Sequence, residues 1–208
     1  INFRSNDRKR DIIDLEDALN KSILLNPKNP LPYALLGLIK EGHTLANFDT
    51  DLGKQRSNAT KYVEKAIELG PENMEALYYS GKFYRIIGNF SKAIKLFEKA
   101  IEIAPFGPEE IRINLVSTHL ANFDFDKASQ IATLLLNQGD KRSVFIGSMF
   151  LIYIKAKTGE IKDAKNDFKI ILDKYNYTKE AALYQIRRYS PGTWTWISSE
   201  FKSTMDNL

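Results

Sequence analysis

Histidines and glycine–lysine pairs are the residues of this sequence that most directly suggest catalytic or phosphate chemistry. His43 and His119 are its two histidines, and neither lies in the H-E-x-x-H spacing that places two metal ligands on one helix face. His119 falls at a core position of a predicted helix, which favours packing over catalysis. The Gly-Lys pairs at 53–54 and 81–82 lack the glycine five residues earlier and a following Ser or Thr, so neither predicts a phosphate-binding loop.

Paired carboxylates could serve as a general acid and a general base. Glu109 and Glu110, and likewise Asp124 and Asp126, lie at predicted turns or helix starts. Carboxylates at such places interact favourably with the amide dipoles of a helix N-terminus. These pairs therefore indicate helix starts rather than an active site, and we expect neither an enzymatic activity nor a cofactor.

Alternating acidic and amide side chains open the least regular segment of the sequence. Asn47, Asp49 and Asp51 alternate as in the first half of a calcium-binding loop. The turn position holds Leu52 instead of glycine, and Asn58 stands where the bidentate glutamate is required. We therefore predict no metal site here, but an elongated helical hairpin or a surface loop suited to partner contact.

Composition narrows the possible partners and cofactors. The chain has no cysteine, which excludes thiol catalysis, thiolate zinc sites and disulfides. Its 30 basic and 26 acidic residues give a net charge of +4 and are interspersed, which is typical of a solvated surface rather than a nucleic-acid interface. No apolar run approaches the roughly 20 residues that span a bilayer. We expect no nucleic-acid partner and no membrane insertion.

Helical periodicity is the strongest structural signal in the sequence. Between residues 88 and 105, small and apolar side chains recur at steps of three and four, the spacing of one helix face. Gly88 can end the preceding helix, Ser91 can cap the next one, and Pro105 cannot continue it. The segment 70–88 has the same periodicity. Two helices joined by a tight turn therefore form a predicted hairpin.

This hairpin recurs along the chain. Proline ends similar helices at Pro27, Pro71 and Pro105, and the segments 123–136 and 159–172 repeat the second-helix pattern without it. The pattern resembles the tetratricopeptide repeat (TPR) family, whose unit is a helix–turn–helix of about 34 residues. The best copy, residues 74–107, matches the family at Leu77, Gly81, Tyr84, Gly88, Phe90, Ala93, Phe97, Ala100 and Pro105.

The other copies keep fewer of the family's positions. The copy at 30–71 carries extra residues between its two helices, and the copies at 109–142 and 145–178 are degenerate. In the best copy the resemblance implies that Gly81 faces Ala93, where the two helices approach closely.

The resemblance implies an all-α fold, a right-handed α-solenoid of antiparallel helix pairs with about four repeats plus terminal helices. Because each hairpin alone leaves an apolar face open, neighbouring copies must stack to complete the core. We therefore predict a single domain over residues 1–208. Its parts are an N-terminal tail (1–11), an N-terminal helix (12–27), a repeat (30–71) with an insertion (43–58), the best repeat (74–107), two degenerate repeats (109–142 and 145–178) and C-terminal capping helices (179–208).

Repeat proteins of this kind bind partners on the concave face built by the first helices of their hairpins, so the resemblance implies a non-catalytic protein–protein interaction module. The family's geometry gives that face aromatic and basic side chains, which suit an extended peptide or a partner helix with an acidic group. The predicted contact residues are Glu75, Tyr78, Lys82, Arg85, Ile113, Asn114, Ser117, Met149 and Tyr153.

A second resemblance is to the C-terminal TPR regions of some bacterial adenylate or guanylate cyclases and transcriptional regulators. It implies a cytoplasmic regulatory or assembly part of a larger protein. Two alternatives stay open: a sensory domain that holds a small ligand or an anionic peptide, and a homo-oligomerisation module, such as a homodimer, that uses a final amphipathic helix. The apolar positions of that helix are Trp194, Ile197, Phe201, Met205 and Leu208.

Overall fold

The computed structural model describes residues 5–46, 52–189 and 203–207. All regular structure in these ranges is helical, so the all-α prediction is confirmed. The helices are α1 (Ser5–Leu25), α2 (Pro30–Ala46), α3 (Leu52–Leu69), α4 (Met74–Ile86), α5 (Phe90–Ile103), α6 (Glu109–Ala121), α7 (Phe125–Gln138), α8 (Lys141–Lys157), α9 (Ile161–Tyr175) and α10 (Lys179–Tyr189). Residues 203–206 form a further short helical segment, in which Met205 is buried. The other apolar positions of the predicted final helix lie outside the described residues: Trp194, Ile197, Phe201 and Leu208.

The chain divides into an N-terminal unit (Ile1–Pro105) and a C-terminal unit (Phe106–Leu208). In the N-terminal unit α2 pairs with α3 and α4 pairs with α5, while α2 also packs against α1 and α4. In the C-terminal unit α6 pairs with α7 and α8 pairs with α9, and α7 also packs against α8. Helices adjacent in sequence are thus paired, as predicted for successive hairpins. A single continuous domain over residues 1–208 stays a prediction.

Two helix starts differ from those expected. α1 begins at Ser5, so residues 5–11 are helical and do not form the predicted N-terminal tail. The lysine and the two arginines among them are good helix formers, which favours the longer helix. α5 begins at Phe90, so its N-cap is Asn89 and not Ser91. The side-chain oxygen of Asn89 accepts a hydrogen bond from the backbone N–H three residues on, at 3.2 Å, which satisfies a donor that the helix leaves unpaired.

The described parts of the predicted insertion (43–58) are helical. α2 continues to Ala46 and α3 begins at Leu52, so these parts lengthen both helices of the first hairpin. An ion pair joins the two helices: the fully buried carboxylate of Glu41 accepts from Nε and Nη2 of Arg56, at 3.0 and 2.6 Å. The calcium-like positions of this segment lie outside the described residues: Asn47, Asp49 and Asp51.

A glycine leaves room for an aromatic ring between α4 and α5. A Cβ atom added to Gly81 would lie 2.7 Å from the ring of Phe97, which is closer than real Cβ atoms come to other atoms. The three atoms nearest to that Cβ all belong to the Phe97 ring, which therefore fills the space beside Gly81, and the facing of Gly81 and Ala93 stays a prediction. Phe97 and Ala93 are both fully buried.

We expect Gly37→Ala to lower the free energy of unfolding by about 1–3 kcal/mol. An added Cβ would lie 2.3 Å from a methyl group of Val63 and 2.9 Å from the carbonyl oxygen of Ala59, so α2 and α3 would have to separate. Gly42, in the same helix, is the matched control, because nothing lies within 4 Å of its added Cβ. Gly42→Ala is expected to be neutral or stabilising, since alanine favours helix. Urea denaturation measures the free energy of unfolding of both variants. Equal stabilities of Gly37→Ala and Gly42→Ala would contradict the close approach of α2 and α3.

Candidate functional site

The predicted contact residues separate into accessible and buried side chains. Glu75 is exposed, and Tyr78 and Lys82 are half-buried, all three on α4. A buried side chain serves packing and offers little surface to a partner, so these three form the accessible part of the predicted surface. The binding role of the whole set stays a prediction. The buried members are Arg85, Ile113, Asn114, Ser117, Met149 and Tyr153.

The predicted contact residues of the C-terminal unit lie on α6 and α8. The amide of Asn114 donates to the carbonyl oxygen four residues earlier at 2.6 Å, and the hydroxyl of Ser117 donates to the carbonyl oxygen of Asn114 at 2.9 Å. Met149 is fully buried on α8, and the ammonium group of Lys157 lies 5.8 Å from the ring centroid of Tyr153. The amide of Asn114 and the hydroxyl of Ser117 thus donate to carbonyl oxygens of their own helix, and Met149 serves packing.

Tyr78, Tyr79, Lys82 and Arg85 form an aromatic and basic group on α4, the α4 cluster. The two tyrosine rings lie 5.0 Å apart at 53° to each other. The ammonium group of Lys82 is 5.5 Å from the centroid of each ring, within the range of a cation–π interaction. Tyr79 was not among the predicted residues. Its spacing could have indicated it, because side chains at i and i+3 meet on a helix surface as those at i and i+4 do.

Burial disfavours the charge on both cations of the α4 cluster. It lowers the pKa of the Lys82 ammonium, and the nearby positive charge of Arg85 lowers that pKa further. Burial also lowers the pKa of the Arg85 guanidinium to about 9, although the interaction with Tyr78 raises this pKa. The guanidinium therefore stays charged at neutral pH. An anionic group beside the two cations would be favoured, because it would offset both their loss of hydration and their mutual repulsion.

The residues that could have served catalysis have structural roles. His119 is buried near the end of α6, which confirms the expected packing, and its Nδ1 lies 3.2 Å from Oδ2 of Asp124. Asp124 caps α7 by accepting from the backbone N–H of Lys127 at 3.3 Å. Glu109 and Glu110 lie in the first turn of α6, as predicted. The contact between His119 and Asp124 links α6 to the start of α7, and the carboxylate of Glu110 pairs with Arg142 of α8 at 2.6 Å.

Residues 5–46, 52–189 and 203–207 contain neither a cluster of metal-ligating side chains nor a membrane-spanning helix. No group of three or more His, Cys, Asp or Glu side chains in these ranges could hold a metal ion. None of the helices in the same ranges is both long and apolar enough to cross a membrane.

Each unit contains a cavity of ligand size. One of about 590 Å³ lies among α1, α2 and α3, and one of about 440 Å³ lies among α7, α8 and α9. Mostly apolar side chains line the second, together with the ion pair of Lys155 and Asp167, whose charged atoms are 2.7 Å apart. The linings of these two cavities do not include Tyr78, Lys82 or Tyr153 of the predicted contact set.

Comparisons with known proteins agree with the architecture. The model of the tetratricopeptide repeat family matches residues 74–106. Interferon-induced protein with tetratricopeptide repeats 2 of Homo sapiens is 35% identical over 89 residues, which are 43% of this chain but 18% of that protein's length. The crystal structure of YrrB, described as a TPR protein with an unusual peptide-binding site, matches with a TM-score of 0.54 and 18% identity over 92% of each chain. At that identity the likeness to YrrB shows the fold.

Proposed function

We propose that this chain, which carries a tetratricopeptide repeat at residues 74–106 and shares the paired-helix fold of TPR proteins, is a non-catalytic protein–protein interaction module. The observation that carries the proposal is the α4 cluster, which lies within that repeat. The peptide-binding site described for YrrB supports a peptide or protein ligand for this fold. We also propose that the module is cytoplasmic and serves regulation or assembly within a larger protein.

The ligand we propose is an extended peptide or a partner helix with an acidic group, bound on the concave face predicted from the sequence. A carboxylate can approach Lys82, and the rings of Tyr78 and Tyr79 offer apolar surface beside it. Glu75, one turn before Tyr78, is exposed and adds a negative charge at the other end of this surface. Opposite charges at the two ends favour one orientation of a bound peptide over the reverse.

We expect the variant Tyr78→Ala/Lys82→Glu to lose the partner. The change removes an aromatic contact and reverses the accessible positive charge, so recovery of the partner is expected to fall by roughly tenfold or more. The measurement is affinity capture from a lysate of the source organism, with quantification of each captured protein. Circular dichroism and thermal melting of the variant establish that it folds.

Lys174→Glu is the matched control for this capture. Lys174 is exposed in the C-terminal unit, and its ammonium group lies 5.7 Å from the ring centroid of Tyr175, so the substitution reverses a charge beside an aromatic ring as Lys82→Glu does. A protein captured by the wild type and the control, but lost from the folded α4 variant, supports the proposal and identifies the partner. Equal recovery by all three proteins would overturn the α4 cluster as the contact surface.

A further inference from the structure

The cavity of about 590 Å³ in the N-terminal unit is an open groove between α1 and α3, which both pack against α2. We name it the α1–α3 groove. Its volume lies in the range of small-ligand and peptide sites, roughly 300–1,000 Å³. Glu16 of α1, Tyr33 and Lys40 of α2, and Lys61, Tyr62 and Lys65 of α3 line it. None of these residues belongs to the predicted contact set or to the α4 cluster.

Two tyrosines give the groove an aromatic surface. The rings of Tyr33 and Tyr62 are 6.5 Å apart and tilted by 38°. The hydroxyl of Tyr33 donates to the carbonyl oxygen of Pro27 at 3.2 Å, which holds that ring in place. The ammonium group of Lys40 lies 5.9 Å from the centroid of the Tyr62 ring. An apolar or aromatic side chain of a ligand can pack on these rings without disturbing the fold.

Three lysines and one glutamate are among the residues that line the groove. Lys40 pairs with Glu16, with 3.3 Å between the charged atoms, and Lys65 pairs with Glu68 at 2.9 Å. The Lys65 pair is solvent-exposed and is therefore weak and easily exchanged for another carboxylate. Lys61, one turn before Lys65 on α3, is exposed and pairs with no carboxylate in the described part of the chain. Two lysines one turn apart are thus available to acidic groups.

We propose that the α1–α3 groove is a second binding site, which takes an acidic peptide segment with alternating carboxylate and apolar side chains. The carboxylates pair with Lys61 and Lys65, and the apolar side chains pack on Tyr33 and Tyr62. The inference rests on the proposed function in that the ligand is a partner protein, but it uses a separate surface from the α4 cluster.

The carboxylates near the groove favour a peptide over a nucleic acid. Glu16 lines the groove, and Glu64 and Glu68 lie on α3 within one turn of Lys65. A nucleic-acid strand carries a negative charge at every phosphate and needs a continuous basic track. A peptide can instead place its few carboxylates opposite the lysines and keep them away from the glutamates.

The test is a fluorescence anisotropy titration with a short labelled peptide of alternating Glu and Phe. A peptide with Lys in place of Glu serves as the ligand control. We expect the acidic peptide to bind the wild type and the basic peptide not to bind. Lys61→Glu/Lys65→Glu is expected to raise the Kd of the acidic peptide by roughly tenfold or more, through lost attraction and added repulsion. If that variant does not fold by circular dichroism, Lys61→Ala/Lys65→Ala replaces it, with a smaller expected increase.

Lys95→Glu/Lys99→Glu is the matched control variant. It reverses the charge of another lysine pair four residues apart in the same unit, on α5, and is expected to leave the Kd unchanged. An unchanged Kd in the folded groove variant, or an equal rise in the control, would overturn the inference. Failure of the acidic peptide to bind the wild type would also overturn it. So would a single-stranded oligonucleotide that binds the wild type more tightly than the peptide does and no longer binds the Lys61→Glu/Lys65→Glu variant.

The variant Tyr78→Ala/Lys82→Glu separates this inference from the proposed function. If that variant loses the acidic peptide and the groove variant keeps it, the α1–α3 groove is not the site, while the α4 cluster and the proposed function stand. If the groove variant alone loses the peptide, the groove inference is supported, whatever the lysate capture shows for the α4 cluster.

Discussion

Replacement of Phe97 by alanine is expected to lower the free energy of unfolding by about 3–5 kcal/mol. Phe97 is fully buried, and its ring lies where a side chain at residue 81 would point. The centroid of this ring is 6.1 Å from the centroid of the Tyr78 ring. Gly81 has no side chain that could move into the space left by the ring, so much of the cavity would persist. Urea denaturation followed by far-UV circular dichroism measures the loss.

Phe106→Ala is the control for this prediction. It makes the same chemical change at a side chain that is fully exposed, and we expect its effect to be within about 0.5 kcal/mol of zero. If Phe97→Ala were no more destabilising than Phe106→Ala, the ring would not occupy the interface between α4 and α5. The loss of Phe97 is also expected to weaken partner capture, because Tyr78 of the α4 cluster packs near the ring.

Removal of Arg56 is the second large change, because it leaves a buried carboxylate without its partner. Glu41 is fully buried and accepts two hydrogen bonds from the guanidinium of Arg56. The hydrogen bond from Arg56 to Glu41 raises the pKa of Arg56, which shows that the pair favours the charged guanidinium. We expect Arg56→Ala to lower the free energy of unfolding by about 3 kcal/mol, the lower end for a broken buried pair. The lower end applies because the Arg56 side chain is 43% exposed and water can reach the site.

A double variant distinguishes charge from packing in this pair. Glu41→Leu/Arg56→Leu removes both charges and keeps apolar volume between α2 and α3, so we expect it to recover most of the lost stability. Arg56→Lys keeps the charge but cannot donate two hydrogen bonds from one planar group, and it is expected to fall between the wild type and Arg56→Ala. Equal losses in Arg56→Ala and in the double variant would mean that the side-chain volume of Arg56, rather than its charge, holds the two helices together.

The sequence alone determined the local structure and the tetratricopeptide repeat at residues 74–106. The periodicity of residues 88–105 predicted α5, and the match at Gly81, Tyr84 and Phe97 predicted the helix pair that the structure contains. These predictions succeeded because helix periodicity, proline restrictions and glycine turns act within a few residues of the chain. The two-residue error at the α5 cap arose because Asn89 and Ser91 are both good capping residues.

Only the tertiary structure decided which side chains are covered and which distant residues meet. The resemblance to the repeat family assigned Arg85, Met149 and Tyr153 to a binding face, but the structure buries all three. The α1–α3 groove draws its lining from three helices, and the Glu41–Arg56 pair joins two of them. Periodicity states which residues share one face of a helix. What lies opposite that face depends on where neighbouring helices cross it, and that is set by side-chain packing over the whole unit.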